Sequence, residues 1–442
     1  MVENILLITI DSLRADHFPD LETSDPPTFS TLVDEGTSFS HAFATGPGTT
    51  CSFPALLTGT LPASYGGLGP LSNDRPRVAA ELHNAGLTTA AFHSNPFLST
   101  HFNYDVGFDA FEDYQNPLMG VATELFPRGI EINNPKLQQI DDKLNITGLL
   151  KKTYQTLSGK SRPYVAADVI TDDVVNWLEN TDDQFFCWAH YMDVHHPCFP
   201  PENIRRQFGL ENITASQVSK WYSKALEEPE ALTDHQRTQF KQFYEAAIAY
   251  TDQQVGRIVD YLKTASRWED TLVVLTSDHG ELFGEYGAYG KPIRMYDELL
   301  RVPLVILNGP SYLDEIEESL MSLLDLPPLF CDVLDAEIPQ EYEGYLPDSG
   351  AYRDFVVAEH QVEDGIVVGA RSKHQLYEYN ELREEQGFFE VAPSQFEAIP
   401  PEQGDKILET VVHDRLETAS ADVDIVDLKE DVEERLEDLG YL

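Results

Sequence analysis

The chain has 442 residues, 30 Lys+Arg against 76 Asp+Glu, and a formal net charge of −46. A surface this anionic excludes nucleic acid and anionic membrane as partners, because both need cationic side chains to neutralise phosphate. Hydrophobic residues make up 42%, which excludes wholesale disorder, and the length suits two domains or one large α/β domain with an appendage.

The first element is the continuously apolar run Ile5–Ile10, which predicts a buried strand ending at Asp11. It is too short for a signal-peptide core with its processing site, and no later run is long enough to span a bilayer. A cytoplasmic protein with no membrane span is therefore expected. A glycine-led loop from Gly46 feeds a short apolar helix that closes at Gly59. Pro76–Asn84 reads as a helix stopped by Gly86, and Thr88–His93 as a second strand. Residues 117–163 break this rhythm and read as an insertion near the site. Val169–Leu178 predicts a helix and Phe185–Tyr191 a strand. A long helix covers Asp234–Ala265, with Phe240, Tyr244, Ile248, Val255, Ile258 and Leu262 on one face and Asp234 as its cap. Strands follow at Thr271–Thr276 and Val302–Leu307. The last region carries a strand at Phe355–Glu359 and an acidic helix at Asp427–Leu439.

Continuous rather than alternating apolarity marks strands covered on both faces. Strand–helix alternation predicts a doubly wound α/β fold with a mostly parallel central sheet, and chemistry beyond the carboxyl ends of its strands. The division expected is a catalytic domain over 1–338 and a small C-terminal α+β region with an acidic helical tail over 339–442.

Two strand ends carry the sharpest chemistry. Ile5–Ile10 runs into Asp11, and Thr271–Thr276 runs into Ser277-Asp278-His279-Gly280. Two carboxylates and an imidazole suit Mn²⁺, Zn²⁺, Mg²⁺ or Ca²⁺. Between them in sequence, the glycines and Pro47 lead into the hydroxyl and thiol residues Thr49, Thr50, Cys51 and Ser52, and then into a short apolar helix. A hydroxyl at a helix start gains from the dipole and the free backbone N–H groups, which also hold anions. The four cysteines (Cys51, Cys187, Cys198 and Cys331) are too scattered for a disulfide framework or a zinc pair.

The chain resembles the sulfatase family of the alkaline phosphatase superfamily. The matching stretches are Asn4–His17, the run ending Leu-Leu-Thr-Gly59, His190-Tyr-Met-Asp-Val-His-His-Pro197, Thr276–Glu285 and Tyr296–Leu304. The ending Glu434–Leu442 resembles the tails of sulfatase-like proteins from halophilic archaea, and acidity spread along the chain fits work in high salt. The resemblance implies one divalent metal held by Asp11, Thr49, Asp278 and His279, with a second metal at Asp193 as a further option. It implies Thr49 as nucleophile, ten residues before the motif's closing Gly59, with Thr50 as the fallback. Cys51 lacks the Cys-x-Pro-x-Arg register of a formylglycine enzyme, so no formylglycine is expected. Having no base or cation near it in sequence, Cys51 should stay a protonated buried thiol. His195 matches a histidine that binds the transferred group or protonates the leaving oxygen, and Lys291 lies near a cation facing the anion. Ser12, Arg14 and Asp16 match positions beside the metal strand, Ser12 standing where typical sulfatases have a second Asp. His93 and Asn95 are expected to line the pocket, and Arg371 and Lys373 to approach the substrate.

The function implied is metal-dependent hydrolysis of sulfate or phosphate esters, on a small anionic ester or a sulfated or phosphorylated glycan. A phosphodiesterase, phosphonate-ester hydrolase or phosphotransferase is the alternative within enzymes, and a catalytically silent binding protein the alternative outside them. Oligomeric state is left open.

Overall fold

The computed structural model describes residues 2–18, 27–67, 69–114, 164–346, 353–362, 365–392 and 394–419. The expected insertion at 117–163 and the acidic helix at Asp427–Leu439 lie outside these residues.

Sixteen strands are described: β1 Asn4–Ile10, β2 Thr37–Ser38, β3 His41–Phe43, β4 Thr88–Phe92, β5 Ala110–Glu112, β6 Phe185–Tyr191, β7 Thr271–Thr276, β8 Leu282–Phe283, β9 Tyr289–Gly290, β10 Leu304–Leu307, β11 Leu320–Ser322, β12 Val356–Val362, β13 Gly365–Arg371, β14 Gln375–Asn380, β15 Glu385–Ala392 and β16 Gln395–Ile399. Seven form a central sheet in the order β2-β10-β7-β1-β6-β4-β5. Strands β7, β1, β6, β4 and β5 are mutually parallel, and β10 runs antiparallel to both its neighbours. The doubly wound, mostly parallel sheet expected from the sequence is therefore present.

Strand β1 shows why the run is apolar without alternation. Leu6, Ile8 and Ile10 enter one core with the helices Ala167–Glu179 and Asp234–Thr264. Ile5 and Leu7 enter the opposite core with the helices Thr49–Thr58, Val78–Asn84 and Leu326–Asp332. Successive side chains of a strand point to opposite faces, so burial on both faces demands apolar residues at every position.

Register then places the chemistry. Thr9 is level with Thr276 on β7 and with His190 on β6. Two residues beyond the Thr9–Thr276 pair, both chains carry aspartate, Asp11 and Asp278. Parallel strands in register thus deliver two carboxylates to the same sheet edge.

The boundaries differ from expectation by a few residues. The long helix is capped by Thr233, whose hydroxyl accepts from Gln236 N while Gln236 answers with its side chain; Asp234 is the first helical residue rather than the cap. Strand β4 stops at Phe92, and β10 begins only at Leu304, after Pro303.

Strands β12–β16 form a separate antiparallel meander. Its edge strand β12 docks on the loop before the helix Thr49–Thr58, with Glu359 N donating to Thr45 O at 2.8 Å. Buried ion pairs fasten the meander: Arg371 to Asp297 at 2.6 Å, Arg294 to Glu378 at 2.9 Å and Arg415 to Glu359 at 2.6 Å. Breaking one partner of such a pair strands a buried charge.

Candidate active site

The helix Thr49–Thr58 starts from extended Gly48 and ends at Gly59, whose φ of +65° favours glycine. A Cβ on Gly59 would also meet the Tyr342 ring at 2.5 Å. With both ends fixed, the first helical residue faces the ends of β1 and β7. Thr49 Oγ1 lies 3.1 Å from Asp278 Oδ2, 3.2 Å from His279 Nε2 and 3.4 Å from Asp11 Oδ2. All four side chains are buried. Thr50, the next residue, is half-buried.

Ligand atoms of Asp11, Asp278 and His279 lie within 4.8 Å of one another, the one such group of three among the described residues. His279 Nδ1 donates to Gly280 O at 2.8 Å, which leaves the Nε2 lone pair facing the carboxylates. Burial, then the Lys291 charge, pulls His279 down to about 3, so the imidazole is in the neutral form a ligand requires. Burial and the neighbouring Asp11 push Asp278 well above the usual carboxylate range. Asp11 is held well below it: burial opposes this, but the imidazoles of His195, His190 and His279 and the Lys291 charge beside it outweigh burial. Two converging buried carboxylates, an inward lone pair and a hydroxyl fit one hard or borderline divalent cation.

Around this cluster, Ser12 has φ +62° and donates to Asp11 Oδ1 at 2.7 Å, while its backbone N–H donates to Asp278 Oδ1 at 3.2 Å. Lys291 Nζ lies 3.5 Å from Ser12 Oγ, beside the cluster. Arg14 and Asp16 lie one layer out. Arg14 pairs with Asp16 at 2.7 Å and with Glu285 at 2.9 Å, and donates to Glu281 O, bracing the turn after His279. Gly280 permits this packing: a Cβ there would meet Glu298 O at 2.0 Å.

His195 is buried, and its Nδ1 donates to His196 O at 2.6 Å. Burial, then Lys291, pulls it down to about 3, so proton donation from His195 needs an anionic group beside it first. Asp193 is buried but stands outside the cation cluster. Asn95 donates to Asp11 Oδ2 at 3.0 Å and so joins the site, whereas His93 stacks on Trp188 at 5.0 Å. Arg371, expected to approach the substrate, is engaged by Asp297 through both Nε and Nη2, at 2.7 and 2.6 Å.

Two groups carried no role in the sequence reading. Glu281 is fully buried, takes a hydrogen bond from Tyr222 at 2.9 Å and lies 3.5 Å from His196 Nε2. His360, on β12, brings Nδ1 to 3.4 Å from Cys51 Sγ. The thiol therefore does have an imidazole beside it, contrary to expectation from sequence, where the two are far apart. The pair is neutral all the same. Burial raises Cys51 to about 12 and lowers His360 from 6.5 to about 4.

The His360 shift makes a pH prediction. Between pH 6.5 and about 4 the unfolded chain protonates this imidazole and the folded one does not. The contribution is complete above that window and is lost as pH falls through it. His360→Gln should remove a loss of at most about 3 kcal/mol. Thermal unfolding of both proteins at pH 7 and pH 4 checks this; parallel declines would contradict it.

The mostly parallel α/β sheet and a family match over most of its length place the chain among the ester hydrolases of the alkaline phosphatase-like class. The sulfatase family model matches residues 3–336, and the chain belongs to that family. An arylsulfatase of Clostridium perfringens is 23% identical over 431 residues, covering 88% of each chain. A choline-sulfatase of Rhizobium meliloti is 23% identical over 364 residues, covering 75% of this chain and 67% of the relative. The crystal structure of a phosphonate monoester hydrolase of Agrobacterium radiobacter superposes with a TM-score of 0.68 at 18% identity, covering 97% of this chain and 98% of the other. Among the described residues, no helix is long and apolar enough to cross a membrane.

Proposed function

We propose that this chain hydrolyses small anionic esters by attack of Thr49 at a centre that holds one divalent cation. The observation that carries the reading is the convergence of Thr49 Oγ1 on Asp278, His279 and Asp11 within 3.4 Å. Asp11, Asp278, His279 and Thr49 would hold the cation, which supplies Lewis acidity that lowers the pKa of a hydroxyl and polarises an ester oxygen. Thr49 attacks sulfur or phosphorus, its proton passing to a neighbouring carboxylate, and an ester to Thr49 forms as the leaving alcohol departs. Water then releases the group. Lys291 and the helix N-terminus offset the anionic oxygens. His195 holds the transferred group, and once that anion is beside it can give its proton to the leaving oxygen.

The substrate names of the relatives support an aryl or small alkyl ester, with sulfated or phosphorylated glycans as the larger alternative. A phosphoester or phosphonate reading is favoured by one feature: Thr49 is a plain alcohol, and the Cys-x-Pro-x-Arg pattern is absent. Initial rates on matched aryl sulfate, aryl phosphate, phosphodiester and phosphonate substrates with Mn²⁺, Ca²⁺, Mg²⁺ or Zn²⁺ test the proposal. No turnover in any combination would sink it and favour a silent binding protein.

The working environment proposed is high salt, as in a haloarchaeal cytoplasm. A net charge of −46 on 442 residues repels itself unless screened. Activity and near-UV circular dichroism should both collapse on dilution from molar to millimolar KCl. A protein unchanged by that dilution would contradict this.

A further inference from the structure

We propose that His190 is a positioning residue: a three-side-chain relay, Trp188 to Thr9 to His190, fixes its ring with the proton on Nε2, so that it holds Asp11 as a neutral donor. This rests on the reading of Asp11 as a cation ligand.

The relay follows from counting donors. Trp188 Nε1 lies 2.9 Å from Thr9 Oγ1, and indole N–H can only donate. Thr9 Oγ1 lies 2.9 Å from His190 Nδ1. Thr9 is fully buried, and its own hydroxyl proton needs an acceptor. The Nδ1 lone pair supplies it, so the ring proton sits on Nε2. The second nitrogen gives the same answer independently. Nε2 is fully buried, makes no hydrogen bond, and has Asp11 Oδ2 3.5 Å away. A lone pair there would face a buried carboxylate at 3.5 Å, whereas an N–H is attracted to it. Phe53 closes the ring's surroundings edge-on, with centroids 5.0 Å apart.

Register explains how the sequence builds this. Thr9 and His190 are level on the paired strands β1 and β6, and Trp188 is two residues earlier on the same face of β6. Asn95 supplies a second donor to Asp11 Oδ2 at 3.0 Å, and Ser12 one to Oδ1 at 2.7 Å. Asp11 is thus gripped from three elements and pre-aimed at the cluster. The hydroxyl of Thr9, in the middle of an apolar strand, has this as its use.

The test has two arms. Selective ¹⁵N-histidine labelling of metal-free protein, with the His190 signal assigned by its loss in His190→Gln, reads the tautomer directly. The expected result is an Nε2–H ring in wild type and in Thr9→Ser, and loss of that single tautomer in Thr9→Val. A ring with its proton on Nδ1, or a Thr9→Val spectrum identical to wild type, would overturn the relay. In the second arm, Mn²⁺ affinity is measured by competition with a chelating dye. Thr9→Val and His190→Phe should each weaken binding about tenfold to a hundredfold, while Thr9→Ser and His190→Gln, which keep the hydroxyl or the donor, should stay within a few-fold of wild type. Unchanged affinity in His190→Phe would overturn the positioning role. Asp11→Asn serves as the control: Mn²⁺ binding unaffected by that change would sink the ligand reading itself, and the role of His190 in cation binding with it.

Discussion

Thr49→Ala should abolish turnover, lowering kcat by a factor on the order of 10⁴ to 10⁶ as expected for loss of a nucleophile. The hydroxyl lies 3.1 to 3.4 Å from Asp278, His279 and Asp11. It lies at the first position of a buried helix, where backbone N–H groups lack intrahelical acceptors. Cys51→Ala should be nearly silent in the same assay. Its thiol is raised to about 12 by burial and donates to Gly48 O at 3.0 Å, so it is not poised as a thiolate. That variant should lose about 1 kcal/mol of stability from the small cavity. Both variants and wild type can be compared in one metal-supplemented assay, with intact mass recorded on the wild type. An inactive Cys51→Ala beside an active Thr49→Ala, or a wild-type mass showing formylglycine at residue 51, would overturn the Thr49 mechanism.

Much of this geometry was legible in the sequence because it is delivered by strand ends. Continuous apolar runs that stop at Asp11 and at Ser277-Asp278-His279 already place ligands past buried strands, and the parallel register brings them level. Thr49 was singled out by the resemblance, which counts ten residues back from Gly59; the helix that begins at Thr49 and ends at Gly59 sets that hydroxyl beside Asp11 and Asp278. Glu281 lay inside a recognised stretch, but its burial against His196 and Tyr222 depends on packing that no local pattern encodes. His360 was out of reach altogether: it arrives beside Cys51 because β12 docks on the Thr45 loop, a long-range contact between separate sheets. Arg371 was read toward the substrate through a resemblance to a domain-closing segment; its partner in the fold is Asp297, a long-range contact that α/β periodicity could not place beside it.

Asp278→Asn should separate the two roles of that carboxylate. With metal absent, Asp278 is a buried acid beside a second buried acid, and both burial and the Asp11 charge disfavour its ionised form. The amide keeps an oxygen for the N–H groups of Ser12 and His279, which now donate at 3.2 and 3.0 Å, and it removes the repulsion. Metal-free Asp278→Asn should therefore melt at or above the wild-type temperature. The same change removes a charge and a strong oxygen donor from a hard-cation site, so Mn²⁺ affinity should fall on the order of a hundredfold or more, and turnover with it. Saturating Mn²⁺ should consequently raise the melting temperature of wild type far more than that of the variant, because stabilisation by a ligand grows with its concentration relative to Kd. Calorimetric scans of both proteins with a chelator and with Mn²⁺ read all of this in one experiment. A variant that melts well below wild type in chelator would show that the two carboxylates are not in conflict. Equal Mn²⁺-induced shifts in the two proteins would remove Asp278 from the ligand set and leave the Thr49 hydroxyl without the centre assigned to activate it.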